Sequence, residues 1–138
     1  MSDRPRRKIQ REHLLQKHIR LWVREAVAED HEFFAFDRSK ANSQWSHEFE
    51  RQRGIRRSTP DTLLVLQLLT CWCEVKRTGQ KPTDEQRDMG AKLEALGEVW
   101  FWVTSVQEYY AALVGHRVRL HPNAAFLAQV HARHPADA

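Results

Sequence analysis

Between residues 8 and 29 apolar side chains return every three or four positions. Leu15, Ile19, Trp22 and Ala26 share one stripe, while Arg11, Lys17, Arg20 and Arg24 fall largely elsewhere on the wheel, which predicts a long amphipathic helix with one buried face. The short aromatic run Glu32–Asp37 predicts a strand. From Arg38 to Pro60 the chain turns polar, with Ser39, Asn42, Ser43, Ser46 and Gly54, and reads as a long loop of the kind that carries function or partial disorder in a compact domain.

The stretch Thr62–Lys76 allows two readings. It holds no Gly, Pro, Asn or Asp, so propensity alone permits one buried helix. Its second half, Thr70-Cys71-Trp72-Cys73-Glu74-Val75-Lys76, is rich in β-branched, aromatic and Cys residues and alternates into charges that a buried helix accommodates poorly. A hairpin turning near Gln67-Leu68 is the favoured reading, although these residues are unusual for a tight turn.

Farther on, Thr83 with Gln86 three residues later matches the capping box of a helix N-terminus. Asp84 and Glu85 suit the positive end of its dipole, Met89, Leu93 and Leu96 form its apolar stripe, and Gly97 ends it. Val99–Val103 is a continuous apolar run of strand length, which predicts an interior strand covered on both faces. Ser105 with Glu108 predicts a second capping box opening a helix over Val106–Val114, closed by Gly115, and a short helix follows Pro122 through Phe126, Leu127 and Val130. The order is helix, strand, hairpin, helix, strand, helix. An α/β fold with a mixed central sheet flanked by helices is the simplest packing.

At 138 residues, with 41% hydrophobic and 29% charged side chains, the chain suits one domain with a single core. Three parts are expected: a basic N-terminal arm over residues 1–8, a main domain over 9–115, and a C-terminal extension over 116–138. No apolar run approaches the ~20 residues that span a bilayer, and no signal-peptide segment follows the basic start, so a cytoplasmic protein without membrane contact is expected. Cys71 and Cys73 sit two apart in a strand and make a poor disulfide, so reduced thiols packed in the core are expected.

Charge changes the picture more. The net charge is +4. Residues 4–24 hold eight Lys or Arg, including Arg6, Arg7, Lys8 and Arg11, against the single Glu12, and Arg51, Arg53, Arg56 and Arg57 form a second cluster. Clustered positive charge of this kind suits a phosphate backbone, and equally a solvated helix face with a charged loop.

Pro60-Asp61, then Glu74-Val75-Lys76, is the candidate chemical constellation. Residues two apart on a strand share a face, so Glu74 and Lys76 point together while Val75 points into the core. A hairpin turn at Gln67-Leu68 sets Asp61 across from Glu74 or close to it. Asp61, Glu74 and the Val75 backbone carbonyl then offer hard oxygen ligands for Mg²⁺, with Lys76 placed to orient a nucleophile or to stabilise developing charge. The plain alternative is a surface ion pair of Glu74 with Lys76 or Arg77, worth ~0–1 kcal/mol.

Other candidates carry less. His131 and His134 lack the two further ligands a zinc site needs. His13 and His18 do not share a helical face. Trp100 and Trp102 are assigned to the core, with base stacking the lesser reading.

Taken together, Glu12-His13-Leu14-Leu15-Gln16, Gly54, Pro60-Asp61-Thr62-Leu63-Leu64-Val65, Trp72-Cys73-Glu74-Val75-Lys76-Arg77, Lys81–Gln86, Gly97 and Ser105 resemble the VRR-NUC family of the PD-(D/E)XK nuclease superfamily, in a standalone minimal form. The resemblance spans about residues 9–114 and is most specific at Pro-Asp, Glu-x-Lys and the Gln after the helix cap. It implies a restriction-endonuclease-like αβββαβ core and a DNA endonuclease using Mg²⁺ or Mn²⁺, with no small-molecule cofactor. Asp61 and Glu74 are implied as metal ligands, Lys76 as the catalytic lysine, Glu12 as an additional acidic residue near the metal with Gln16 one turn on, and Gln86 as the family glutamine, a role compatible with capping. Glu48 and Glu50 are rival acidic candidates. The basic residues named above, with Arg77, form the expected DNA track.

Compact standalone members of the family are typically homodimers that resolve four-way (Holliday) junctions, a substrate whose symmetry matches paired active sites. That makes a homodimeric junction resolvase the leading expectation. A flap-, end- or single-strand-selective nuclease is the enzymatic alternative, and a non-catalytic nucleic-acid-binding or interaction protein the alternative from another class. The sequence departs from the family pattern in one place, a hairpin turn without Gly or Asn.

Overall fold

The computed structural model describes residues 4–36 and 58–132, with side chains described from Arg11 onward in the first helix. The N-terminal stripe builds helix α1 (Arg4–Ala26). Leu15, Ile19, Trp22 and Ala26 are buried, while Arg11, Lys17, Arg20 and Arg24 are exposed, as the wheel predicts. The helix starts earlier than expected and takes in Arg4–Lys8 from the predicted arm. Pro5 in the first turn is compatible with this, because its missing N–H has no partner there anyway. It also stops earlier, at Ala26: the Ala26 carbonyl accepts from the N–H of His121 at 2.8 Å, and Ala28 N–H donates to the Arg119 carbonyl at 2.9 Å. Residues 27–29 are used for pairing with a later segment, a long-range tie that local periodicity does not record.

Strands β1 (His31–Ala35), β2 (Thr62–Leu66) and β3 (Thr70–Val75) follow, then helix α2 (Asp84–Ala95), strand β4 (Val99–Val103), helix α3 (Val106–Gly115) and helix α4 (Ala124–Ala132). The described strands form one four-stranded sheet in the order β1-β2-β3-β4. The β1–β2 and β2–β3 pairs are antiparallel, and β3 pairs with β4 in parallel through the α2 crossover. The protein is therefore α/β, with a mixed sheet flanked by helices.

The ambiguous stretch is a hairpin. Leu66 N–H donates to the Leu69 carbonyl at 2.8 Å, and Gln67 and Leu68 make the turn. Arg117 is the single described non-glycine residue with positive φ, so neither turn residue needs the left-handed conformation that favours Gly or Asn. This accounts for the missing turn signal. The turn leaves Leu68 fully out in solvent, at 89% exposure.

Period-two alternation then sorts the side chains of the sheet. Leu64, Cys71, Cys73, Val75 and Val103 join Leu15, Ile19, Trp22, Tyr109 and Leu113 in the main core, beneath α1, α3 and α4. Trp72, Glu74, Trp100 and Trp102 point to the opposite face, where α2 packs. Gly90 of α2 lies directly on the Trp100 ring, so close that a Cβ there would fall 2.4 Å from Trp100 Cδ2.

Three expectations are corrected here. The Val99–Val103 strand lies at an edge of the described sheet, not inside it; its unbroken apolarity reflects helices on both faces, α2 and α3, and says nothing about paired edges. Trp102 is 36% exposed and is not core, and Leu96 of the expected α2 stripe is 80% exposed because it caps the helix C-terminus.

The helix ends follow the predicted chemistry in part. Thr83 and Gln86 form the full capping box, and Gly97 takes φ +88° just beyond α2. At α3, Ser105 Oγ accepts from Glu108 N–H at 3.1 Å, but the Glu108 carboxylate turns to the N–H and hydroxyl of Thr104. That box is only half formed. Gly115 is the last helical residue, and the left-handed position after α3 belongs to Arg117, at φ 59°. Helix α4 is fixed to α1 by Trp22 Nε1–H donating to the Ala124 carbonyl at 3.0 Å and by His18 and His131, whose Nδ1 atoms lie 2.9 Å apart. Among the described residues no helix is long and apolar enough to cross a membrane.

Candidate active site

Pro60 is buried and delivers the chain into β2. The next residue is held on two sides. The Asp61 carbonyl accepts from Phe36 N–H at 2.8 Å, and its Oδ2 accepts from Val75 N–H at 2.8 Å. Thr62 pairs with Cys73 in the hairpin register, and its hydroxyl donates to the Cys73 carbonyl at 3.3 Å. One step outward, that register sets Asp61 opposite Glu74. The geometry expected from a turn at Gln67-Leu68 is the geometry found.

Glu74 is only 3% exposed, although it lies near the end of β3. A carboxylate is costly to bury, and its two strand neighbours Cys73 and Val75 are core residues on the other face. Gln86, in the first turn of α2, reaches across: its Nε2 donates to Glu74 Oε1 at 3.0 Å. The same side chain completes the capping box, with Oε1 accepting from Thr83 N–H at 2.9 Å. Gln86 thus combines the expected capping role with a hydrogen bond to Glu74. The cap fixes which end of the amide faces the carboxylate.

Lys76 continues the sheet one residue past β3, with its N–H donating to the Val103 carbonyl at 2.9 Å. It lies on the same face as Glu74 and is half-buried. Successive backbone groups of a strand point to alternate sides. Val75 N–H points toward Asp61 while Lys76 N–H points toward β4, so the Val75 carbonyl also lies on the Asp61 side. Asp61, Glu74 and the Val75 carbonyl therefore occupy one corner of the hairpin. All three are hard oxygen donors of the type that suits Mg²⁺ or Mn²⁺, which take one or two carboxylates and complete their shells with water and phosphate oxygens. Among the described residues no group of three or more His, Cys, Asp and Glu side chains forms a metal cage.

The remaining predicted residues lie on α1, beside Lys76 or outside the described residues. Glu12 is half-buried on α1, whose core stripe lies on the sheet face opposite α2, and Gln16 is half-buried one turn later. Arg11 is exposed on α1. Arg6, Arg7 and Lys8 belong to its first turns, and their side chains lie outside the described residues, as do Glu48, Glu50, Arg51, Arg53, Arg56 and Arg57. Arg77 follows Lys76 and is half-buried, with Nε lacking a hydrogen-bond partner among the described residues.

Cys73, between Thr62 and Glu74, is no nucleophile. Burial pushes its thiol well above the ordinary range, and the carboxylates of Asp61 and Glu74 push the same way. The buried His18–His131 contact went unforeseen. The two residues are 113 positions apart, and only the docking of α4 on α1 brings them together. Comparison with protein-family models, with curated proteins and with solved structures gives no match.

Proposed function

We propose that this chain is a Mg²⁺- or Mn²⁺-dependent DNA endonuclease with a restriction-endonuclease-like core of the VRR-NUC kind, working as a homodimer on four-way junctions. The observation that carries this reading is the pairing of Asp61 with Glu74 at the open end of the hairpin, with Asp61 Oδ2 2.8 Å from the N–H of Val75 and Lys76 next along the strand. The element order α1-β1-β2-β3-α2-β4, with β4 parallel to β3, supports it, because it is the order such a core requires. A surface ion pair needs neither the burial of Glu74 nor its bond to Gln86.

In this reading Asp61, Glu74 and the Val75 carbonyl hold the cation, and Gln86 keeps Glu74 Oε1 in place. When bound, the ion lowers the pKa of a coordinated water and offsets the charge that builds on the phosphorane-like transition state. The Lys76 ammonium, on the same face as Glu74, orients the attacking water or donates to a non-bridging phosphate oxygen. A water oxygen bonds to phosphorus as one P–O ester bond breaks; the water gives up a proton to solvent and the departing sugar oxygen takes one, leaving a phosphate monoester and a free hydroxyl. The basic side chains of α1 and Arg77 supply contacts to the backbone, whose binding weakens as salt rises in proportion to the phosphates engaged.

The test is incubation of the protein with end-labelled four-way junction, flap, single-stranded and duplex DNA, with and without Mg²⁺. Paired nicks in the junction that need the ion are expected. Asp61→Asn keeps an acceptor for Val75 N–H, and Lys76→Ala leaves the strand intact; both are expected to abolish cutting while junction affinity stays within about threefold. Absence of cutting on every substrate, or undiminished cutting by both variants, overturns the proposal. Cutting of flaps or single strands with junctions untouched retains the nuclease and replaces its substrate.

A further inference from the structure

We infer that Trp102 is a stacking platform for an unstacked nucleobase next to the phosphate that is cut, and so favours branched or single-stranded DNA over continuous duplex. The inference rests on the nuclease reading given above.

Sheet register carries the argument. Glu74 is the parallel partner of Trp102, and the hairpin register extended by one step makes Asp61 the partner of Glu74. Asp61, Glu74 and Trp102 therefore form one row across three neighbouring strands, and residues in one row point to the same face. Neighbouring strands lie about 4.8 Å apart, so the indole stands one strand away from the carboxylate of Glu74. Lys76 lies diagonally across from it, within reach of a long side chain.

Among the described tryptophans, exposure distinguishes this indole from the other three. Trp22 is fully buried. Trp100, two residues earlier on the same face, is covered by Gly90 of α2, and Trp72 stacks on Phe36 with ring centroids 6.2 Å apart. Trp102 keeps 36% of its surface open, at an edge strand. Continuous duplex presents no free base face, because each base is stacked on its neighbours. A flap, a single strand or the crossover of a junction presents one. An exposed indole beside a phosphate site discriminates between these substrates by stacking, which needs no particular base.

The experiment uses the full chain and the variants Trp102→Ala and Trp102→Phe, each first checked for a wild-type circular dichroism spectrum and cooperative melting. Cleavage is measured on junction, flap and nicked duplex. Binding is measured without cutting, in an Asp61→Asn background, to a single strand and a junction carrying 2-aminopurine beside the cut position. Trp102→Ala is expected to lose roughly tenfold in affinity for the single strand and the junction and to restore 2-aminopurine fluorescence that the wild-type indole quenches. Trp102→Phe is expected to recover most of the affinity, and duplex binding is expected to be the same in all three proteins.

If the wild type cuts and Trp102→Ala matches it in affinity and quenching on every substrate, stacking is overturned while the nuclease stands. If the wild type cuts nothing, the nuclease reading fails; the quenching and affinity differences then decide stacking alone. An equal loss on duplex, single strand and junction assigns Trp102 a structural role and overturns the inference.

Discussion

Nε2 of Gln86 donates to Oε1 of Glu74 at 3.0 Å, across the gap between α2 and β3, while Oε1 of the same amide accepts from Thr83 N–H. One side chain thus starts a helix and steadies a buried carboxylate. Gln86→Glu separates the two tasks. A glutamate at this position still accepts from Thr83 N–H, since Glu serves a capping box as well as Gln, so the start of α2 is expected to be kept and the loss of stability, about 1–3 kcal/mol, to come from the buried Glu74 left without its donor. Toward Glu74, however, it replaces a donor with a second carboxylate. Like charges this close are not both ionised, so cleavage near neutral pH is expected to fall at least tenfold. Thermal melting and single-turnover cleavage check the split. A variant that melts and cuts like the wild type contradicts it.

Gly90 reverses an ordinary rule. In an exposed helix interior Gly→Ala stabilises by roughly 1 kcal/mol. Here the new methyl lies 2.4 to 2.7 Å from three atoms of the Trp100 ring, and overpacking of that kind costs about 1–3 kcal/mol. Gly90→Ala is therefore expected to lower the urea midpoint, and Gly90→Ala with Trp100→Leu to lose less than the sum of the two single changes. Strict additivity shows that the ring and the helix do not press on each other.

Arg117 sits where a glycine belongs. At φ 59° it holds the left-handed position after α3, with its N–H donating to the Val114 carbonyl and Val118 N–H to that of Leu113, the bonding of a helix-ending motif that favours Gly. Arg117→Gly is expected to raise stability by about 0.5–1 kcal/mol, read as a higher melting temperature. A lower one means that the exposed arginine side chain contributes more than its backbone costs.

The arrangement of the candidate residues was legible where it depends on local pattern. Alternation across Thr70–Lys76 names the strand, the length of the hairpin sets Asp61 against Glu74, and the Thr83–Gln86 spacing names the cap. The readings that failed depend on relations the pattern does not carry. An apolar run such as Val99–Val103 reports that both faces of a strand are covered, whichever edge is paired, so the edge position of β4 and the exposure of Trp102 were hidden. The early end of α1 at Ala26 and the His18–His131 contact both come from the return of the chain after α3. Nothing within a helical window signals an encounter between residues more than ninety positions apart.

The two core thiols give a pH dependence of definite sign. Burial first, then the carboxylates of Glu29 and Glu98, raises the Cys71 thiol from an ordinary value of 9.0 to about 11, and Cys73 is likewise raised well above its ordinary value, by burial first and then by Asp61 and Glu74. Above pH 9 the unfolded chain gives up protons that the folded chain keeps. The folded state then binds more protons, so the free energy of unfolding falls as pH rises. Each titrating thiol contributes about 1.4 kcal/mol per pH unit, starting at the unfolded value and, for Cys71, ending near 11. Tyr109, also buried and raised, joins only above its own ordinary value of 10.0. Urea midpoints are therefore expected to hold steady up to about pH 8.5 and to drop steeply by about pH 10. Cys73→Ala is expected to start lower, from the lost packing, and to fall less steeply. In the native protein both thiols should resist an aromatic disulfide reagent at about pH 8 and react once urea unfolds the chain. A midpoint unchanged to about pH 10, or prompt reaction of either thiol in the native state, contradicts the buried, protonated pair.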